Sequence, residues 1–380
     1  MSNGSTQTPA VKKQRLLSID ALRGFDMIWI LGAEKIFAGL FILTGLSIFE
    51  LFDQQMKHTA WHGITAYDII FPLFIFLSGV SLGIAGKPLS VYPKDQQKAK
   101  LRHANKRLLI LIGLGVIYNH GWGVGMPASL DDIRFASVLG RIGISWYVAA
   151  MIVWFLSVRA QWGVAVGVLV GYWLALTFVS IGQYGGGDLS STGSLNVWFD
   201  QVFLPGATYQ NNPLDPEGIL SNIPSIVNAL IGVFVGRQMI LLQSNPSKLT
   251  AQLVGAGIVL LAVGYAWSSF FPLNKTLWTS SFVLVTCGYS SLILALFYFL
   301  IDVMKFQQWA KFFAVIGTNS IIAYLGMSIV DWKFTAKSLT GGLIQGLPEV
   351  WHDTLTVIAL VLVQWFVLLW LYKRKLFIKV

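Results

Sequence analysis

"ITAYDIIFPLFIFLSGVSLGIAG", residues 64–86, is a run of twenty-three residues with a single ionisable side chain, Asp68. About 17 to 25 apolar residues are needed to cross a hydrocarbon core of about 30 Å, so the run is long enough to span a bilayer as a helix. No water is present there to satisfy backbone N–H and C=O groups, which leaves the helix as the conformation for one such segment. The same reading applied outward along the chain gives ten candidate spans: 19–43, 64–86, 108–126, 135–158, 163–181, 223–242, 251–270, 278–301, 312–330 and 355–372. The fold class expected is therefore all-α, a polytopic transmembrane bundle of about ten helices.

Composition agrees. Hydrophobic residues make up 55% of 380 positions, charged residues 12%, and mean hydropathy is +0.66. An ordinary soluble domain carries roughly twice that charge. The net charge of +10 raises the question of nucleic acid, but its distribution answers it. With the N-terminus inside, the tail and loops on that side hold eighteen Lys and Arg, seven of them between Lys87 and Arg107, while the opposite loops hold five. This positive-inside asymmetry predicts both termini in the cytoplasm and makes the basic excess topogenic. The expected organisation is a cytoplasmic tail over 1–18, one membrane domain over 19–372 and a basic tail over 373–380. Within the domain, outer loops 182–222 and 331–354 are long enough to carry short helices of their own. The single cysteine, Cys287, excludes an intramolecular disulfide.

Ionisable residues inside membrane segments are costly and mark function by default. Asp20 and Arg23 share a face at i, i+3 near the inner rim, as an ion pair that sets helix depth or as a substrate contact. Glu34 lies fourteen residues beyond Asp20, about 21 Å along a straight helix. That is the depth of Asp68, one turn into a helix descending from outside. His58 precedes that helix by six residues, so three proton-carrying groups are expected to meet at the outer mouth. Trp61 and His62 flank them. The H-x-x-x-H spacing of His58 and His62 is that of a metal pair on a helix, but no third ligand is near and no metal is expected. Arg141, six residues into 135–158, calls for an anionic partner: Glu34, Asp68 or a bound phosphate. At the inner end Arg102, Lys106 and Arg107 read either as plain topogenic charge or as a cradle for a polyanionic nucleotide. Asn319 and Ser320 either bond across helices or line a passage. In the outer loops, carboxylates Asp215 and Glu217 suit an aminosugar's ammonium, with Asn274 and Lys275 as further contacts. There is no Walker sequence and no G-x-G-x-x-G after a strand.

Six stretches, "SIDALRGFDM", "KHTAWHGITAYDIIFP", "RFASVLGRIGI", "DPEGIL", "NKTLWTSS" and "GTNSIIAYL", together resemble the heparan-α-glucosaminide N-acetyltransferase family of transmembrane acyltransferases, and most of all its compact bacterial members. The resemblance implies acetyl transfer from cytoplasmic acetyl-CoA to a glucosamine-type amine on the far side of a bacterial inner membrane, by a homodimer, with acyl-CoA, an aminosugar and lipid as partners and no nucleic acid. It places the active-site histidine at His58, its aspartate at Asp68 and a first-helix polar group at Glu34, where the lysosomal enzyme carries Asn. On the topology read above, a thioester entering from inside would leave its nucleotide near Arg102, Lys106 and Arg107 and run its arm past Asn319, Ser320 and Arg141. His58 is then base or transient acetyl carrier. An aminosugar or oligosaccharide transporter is the alternative, because buried charges and long outer loops suit a permease too. Transporters tend to show related halves with interrupted helices at matching places, and no such symmetry is legible here.

Overall fold

The computed structural model describes residues 16–120 and 129–377. Among them run fifteen α-helices: α1 Leu17–Ile30, α2 Ile36–Thr44, α3 Ser47–Gln55, α4 Ala66–Ala85, α5 Lys94–His120, α6 Val138–Phe155, α7 Val158–Phe178, α8 Leu195–Phe203, α9 Asn222–Leu241, α10 Pro246–Ser268, α11 Ser280–Phe297, α12 Gln308–Gly317, α13 Ser320–Ile329, α14 Trp332–Gln345 and α15 His352–Lys373. The only sheet among these residues is a two-residue hairpin, β1 Ser180–Ile181 with β2 Tyr184–Gly185. The chain is a multi-pass helical membrane protein.

Seven helices among the described residues, α4, α6, α7, α9, α10, α11 and α15, are long and apolar enough to cross a membrane. Two of the expected spans are broken instead of straight. The run 19–43 becomes α1 and α2, bent by 65° across a one-turn 3-10 segment Ala33–Lys35, and 312–330 becomes α12 and α13, bent by 58°. Gly32 makes the first break: its φ is +115°, a conformation that glycine alone adopts without strain. The span 108–126 falls on α5, whose basic first half lies outside the apolar run; its positions 121–126 lie outside the described residues. Outer loop 182–222 carries α8, and 331–354 carries α14.

The bundle is held by small residues that let backbones touch. Gly79 and Gly83 of α4 face Gly232 and Gly236 of α9, each pair four apart. A Cβ on Gly79 would lie 2.0 Å from the Ala229 carbonyl oxygen, and one on Gly232 would lie 2.1 Å from that of Phe76. Lipid tails are as apolar as leucine, so close van der Waals contact of this kind replaces the hydrophobic drive between helices. Gly24 of α1 and Gly317 of α12 make a second such crossing. Around these seams Leu73, Phe76, Leu77, Val80, Val227, Leu230 and Val233 form part of the main core. The seam holds α4 rigidly, and α4 positions the site.

Candidate functional site

A cavity of about 1070 Å³ runs alongside α4. Its wall includes Asp68 at the start of that helix and Ser81 near the end, thirteen residues and about 20 Å apart. His58, Lys275, Arg134 and Glu217 stand with Asp68 at one end; Arg23, His103 and Arg107 stand with Ser81 at the other. Tyr67, Phe71, Tyr118 and Tyr324 also line it, the last two with rings stacked at 4.2 Å.

At the first end, Asp68 belongs to the opening turn of α4. Its Oδ2 accepts the N–H of Thr65, which caps the helix, at 3.2 Å, and the N–H and hydroxyl of Thr59 at 3.3 and 3.0 Å. Thr65-x-x-Asp68 is thus a capping arrangement, and the helix dipole favours a carboxylate there. The charge that seemed anomalous in a membrane segment has local support. Oδ1 remains for His58, whose Nδ1 lies 2.7 Å away. The Asp68 side chain is 1% exposed, the His58 side chain 55%. Lys275, from the loop between α10 and α11, reaches both groups: its Nζ is 3.3 Å from Asp68 Oδ1 and 3.1 Å from His58 Nδ1. Burial lowers the Lys275 pKa from the usual lysine value, and the Asp68 carboxylate opposes that change. Two neighbouring bonds fix the loops: Asn274 Nδ2 donates to the Trp61 carbonyl at 2.9 Å and Gly63 N–H to that of Leu273 at 2.8 Å. The Trp61 ring lines the cavity while its Nε1 donates to the Leu189 carbonyl at 3.0 Å.

Several expected site residues stand elsewhere. Glu34 meets neither His58 nor Asp68 by hydrogen bond. The break at Gly32 takes it off the straight-helix path, beside Lys35 at 3.9 Å and off the cavity wall. The third charged side chain in contact with His58 and Asp68 is Lys275. Arg141, 1% exposed, finds no carboxylate: it donates to Ser221 and Asn222 and lies 4.6 Å from the centre of the Trp278 ring. Neutral oxygens and an aromatic face are its partners, and its Nη1 is buried without a hydrogen-bond partner among the described residues. Asp215 is fully buried, its oxygens bonded to Arg134 Nε at 2.8 Å and Nη2 at 2.6 Å; Glu217 pairs with the same guanidinium from the cavity wall. Burial alone would lower the Arg134 pKa, but these two carboxylates outweigh it and raise it above the usual value. Asn274 is structural in its contacts, and His62 is exposed with Nδ1 3.4 Å from Asn274 Nδ2.

At the second end, Arg107 faces the cavity and its guanidinium lies 4.0 Å from the centre of the Trp146 ring. Arg102 and Lys106 are exposed and off the wall, because a helical face repeats at i+4 and i+3 and not at i+1. That same rule selects His103, Leu111 and Tyr118 with Arg107, so helical spacing is the signal that could have found His103. Arg23 donates to Ser81 Oγ at 2.6 Å and keeps Asp20 at 4.0 Å, on the wall and not only at the rim. At the α12–α13 break Thr318 and Ser320 line the cavity, while Asn319 turns away and donates to the Leu376 carbonyl at 3.2 Å. Arg134 enters the sequence reading only as an outer cation; the acidic pair Asp215-x-Glu217 in so apolar a chain is the signal that something basic must answer it.

The chemistry available is plain. One end offers an exposed imidazole with a buried carboxylate behind it; the other offers three basic side chains.

No family model matches the chain. It is 27% identical over 437 aligned residues to heparan-alpha-glucosaminide N-acetyltransferase of Mus musculus, covering 98% of this chain and 62% of the mouse protein. To the Homo sapiens protein of that name it is 28% identical over 427 residues, covering 96% of this chain and 60% of the human protein. The chain thus spans about six-tenths of the length of these curated relatives.

Proposed function

We propose that this chain is an N-acetyltransferase that carries acetyl across the membrane, from acetyl-CoA on the cytoplasmic side to the amine of a glucosamine-type sugar on the other. The observation that carries this reading is the cavity itself. One passage joins an imidazole–carboxylate pair to a basic cluster about 20 Å away. A thioester with a polyanionic head and a long thin arm matches those two ends. Support for the orientation comes from the loop charges, which put the Arg107 end inside.

In this reading Arg107, His103 and Arg23 hold the nucleotide's phosphates, and the arm runs past Ser320, Tyr118 and Tyr324. The acetyl carbon then rests near His58. Nδ1–H of His58 donates to Asp68, which fixes the tautomer and leaves Nε2 with its lone pair, as in other base–carboxylate pairs. Nε2 takes a proton from the acceptor's ammonium, and the freed amine attacks the thioester carbon. As the C–S bond breaks, the thiolate leaves and takes the proton held on Nε2, and the nitrogen gives up its second proton to solvent as the amide forms. Glu217 and Trp61, both on the wall near that mouth, are the acceptor's neighbours.

The test is detergent-purified protein with radiolabelled acetyl-CoA and glucosamine or its oligomers. Labelled N-acetyl product from wild type and none from His58→Ala supports the reading. Uptake of unmodified sugar into vesicles without any acetylation would sink it in favour of a permease.

A further inference from the structure

Nδ1 of His58 has two neighbours that compete for it: the Asp68 carboxylate at 2.7 Å and the Lys275 ammonium at 3.1 Å. A lysine ammonium only donates, so it bonds to Nδ1 only if that atom carries the lone pair. A lone pair on Nδ1 would then face the carboxylate's own lone pairs at 2.7 Å. One arrangement satisfies all three groups. Nδ1–H donates to Asp68 Oδ1, Lys275 donates to the same oxygen at 3.3 Å, and the Lys275–His58 approach is a contact of two donors.

That arrangement has an electrostatic consequence. A carboxylate alone beside an imidazole stabilises the imidazolium, and an imidazolium has no lone pair on Nε2 with which to accept a proton. We infer that Lys275 is a positioning residue that keeps His58 unprotonated by sharing Asp68 with it. With Lys275 present, the carboxylate's charge is already answered and the pair has no net charge to offer a third proton. The other groups that face His58 do not supply this. Lys57 on its own loop is paired with Asp53 of α3, Tyr67 of α4 presents its ring at 4.8 Å, and across the mouth Arg134 is held by Asp215 and Glu217. The inference rests on the acetyl-transfer reading for its purpose, but its test does not.

Unprotonated imidazole reacts with diethyl pyrocarbonate and imidazolium does not. The rate of carbethoxylation at His58, followed by peptide mass spectrometry across pH 5 to 9, therefore reports the protonation midpoint directly. In Lys275→Gln the midpoint is expected to rise by about one to two pH units, and in Lys275→Arg to return to the wild-type value. In Asp68→Asn, which removes the attraction instead, it is expected to fall. Should the Gln variant fail to fold by size exclusion, Lys275→Met, which keeps the length of the side chain without its charge, decides in its place with the same rise expected. A midpoint that Lys275→Gln leaves unchanged or lowers, or that Asp68→Asn raises, overturns the inference. If wild type transfers acetyl, the acid limb of its kcat/KM profile moves by the same interval in Lys275→Gln while the donor KM holds. If wild type transfers nothing, the proposed function fails, and the carbethoxylation midpoints still judge Lys275.

Discussion

His58 and Asp68 are ten residues apart in the chain and 2.7 Å apart in space, with the start of α4 between them. The carboxylate caps the helix with one oxygen and orients the imidazole with the other, so a structural device and a chemical one share a side chain. Removing the charge should separate the two roles. Asp68→Asn is expected to lower kcat for acetyl transfer by about 100-fold or more, the range of a lost base, with the donor KM nearly unchanged. Initial-rate measurement of N-acetylated product by mass spectrometry decides it; retained kcat would show that the pair is only a helix cap.

The two ends of the cavity should respond in different kinetic constants. Arg107→Ala is expected to raise the acetyl-CoA KM by about tenfold or more, the worth of a charged hydrogen bond, and to leave kcat close to wild type. Arg102→Ala and Lys106→Ala, both off that helical face, are expected to leave the KM within about twofold. Equal effects from all three would mean a diffuse basic surface and no built site.

The α4–α9 seam predicts a sharp contrast between glycines. Gly232→Ala puts a methyl 2.1 Å from the Phe76 carbonyl oxygen, where only backbone can give way, and overpacking of this kind costs about 1–3 kcal/mol. Gly113→Ala meets nothing within 4 Å. Fluorescence-detected melting in detergent should show a lowered Tm for the first and an unchanged or raised Tm for the second.

Asp200 of α8 gives a pH dependence with a definite sign. Burial pushes its carboxyl up to about 6 from 3.8, although the amides of Asp215 and Ile219 donate to it at 3.1 and 2.8 Å. Its folded-state value lies above the unfolded one, so the folded protein binds more protons through this window. The group's contribution is fully present below pH 4 and is lost as pH rises through 6, about 1.4 kcal/mol going with each pH unit that separates the two values. The Tm of wild type minus that of Asp200→Asn should therefore fall between pH 4 and 7. A difference that is flat or rising would show that Asp200 titrates normally.

What can be read from the chain follows from the range of the forces involved. Among the described residues the expected spans fall on helix because a long apolar run in lipid has one way to satisfy its backbone. His58 and Asp68 are legible because ten residues of loop and helix start keep them together. Lys275 as their partner is not, since it lies 207 positions from Asp68 and arrives only through the docking of one loop on another. The breaks at Gly32 and Asn319 are hidden for a related reason: hydropathy measures length without direction, and the depth expected for Glu34 holds only on a straight axis. Arg141 meets a tryptophan face and two neutral oxygens, and its Nη1 has no hydrogen-bond partner among the described residues, so Glu34 and Asp68 drop out as its anion while a bound phosphate does not.

The glycine seam carries one more implication. Because α4 bears Asp68 and Ser81 at the two ends of the passage and is locked backbone to backbone against α9, the interval between those two side chains is a fixed gauge. Under the proposed acetyl transfer, donors whose arms are longer or shorter should bind at their heads yet offer the wrong atom to His58, which makes reach, more than headgroup affinity, the expected filter.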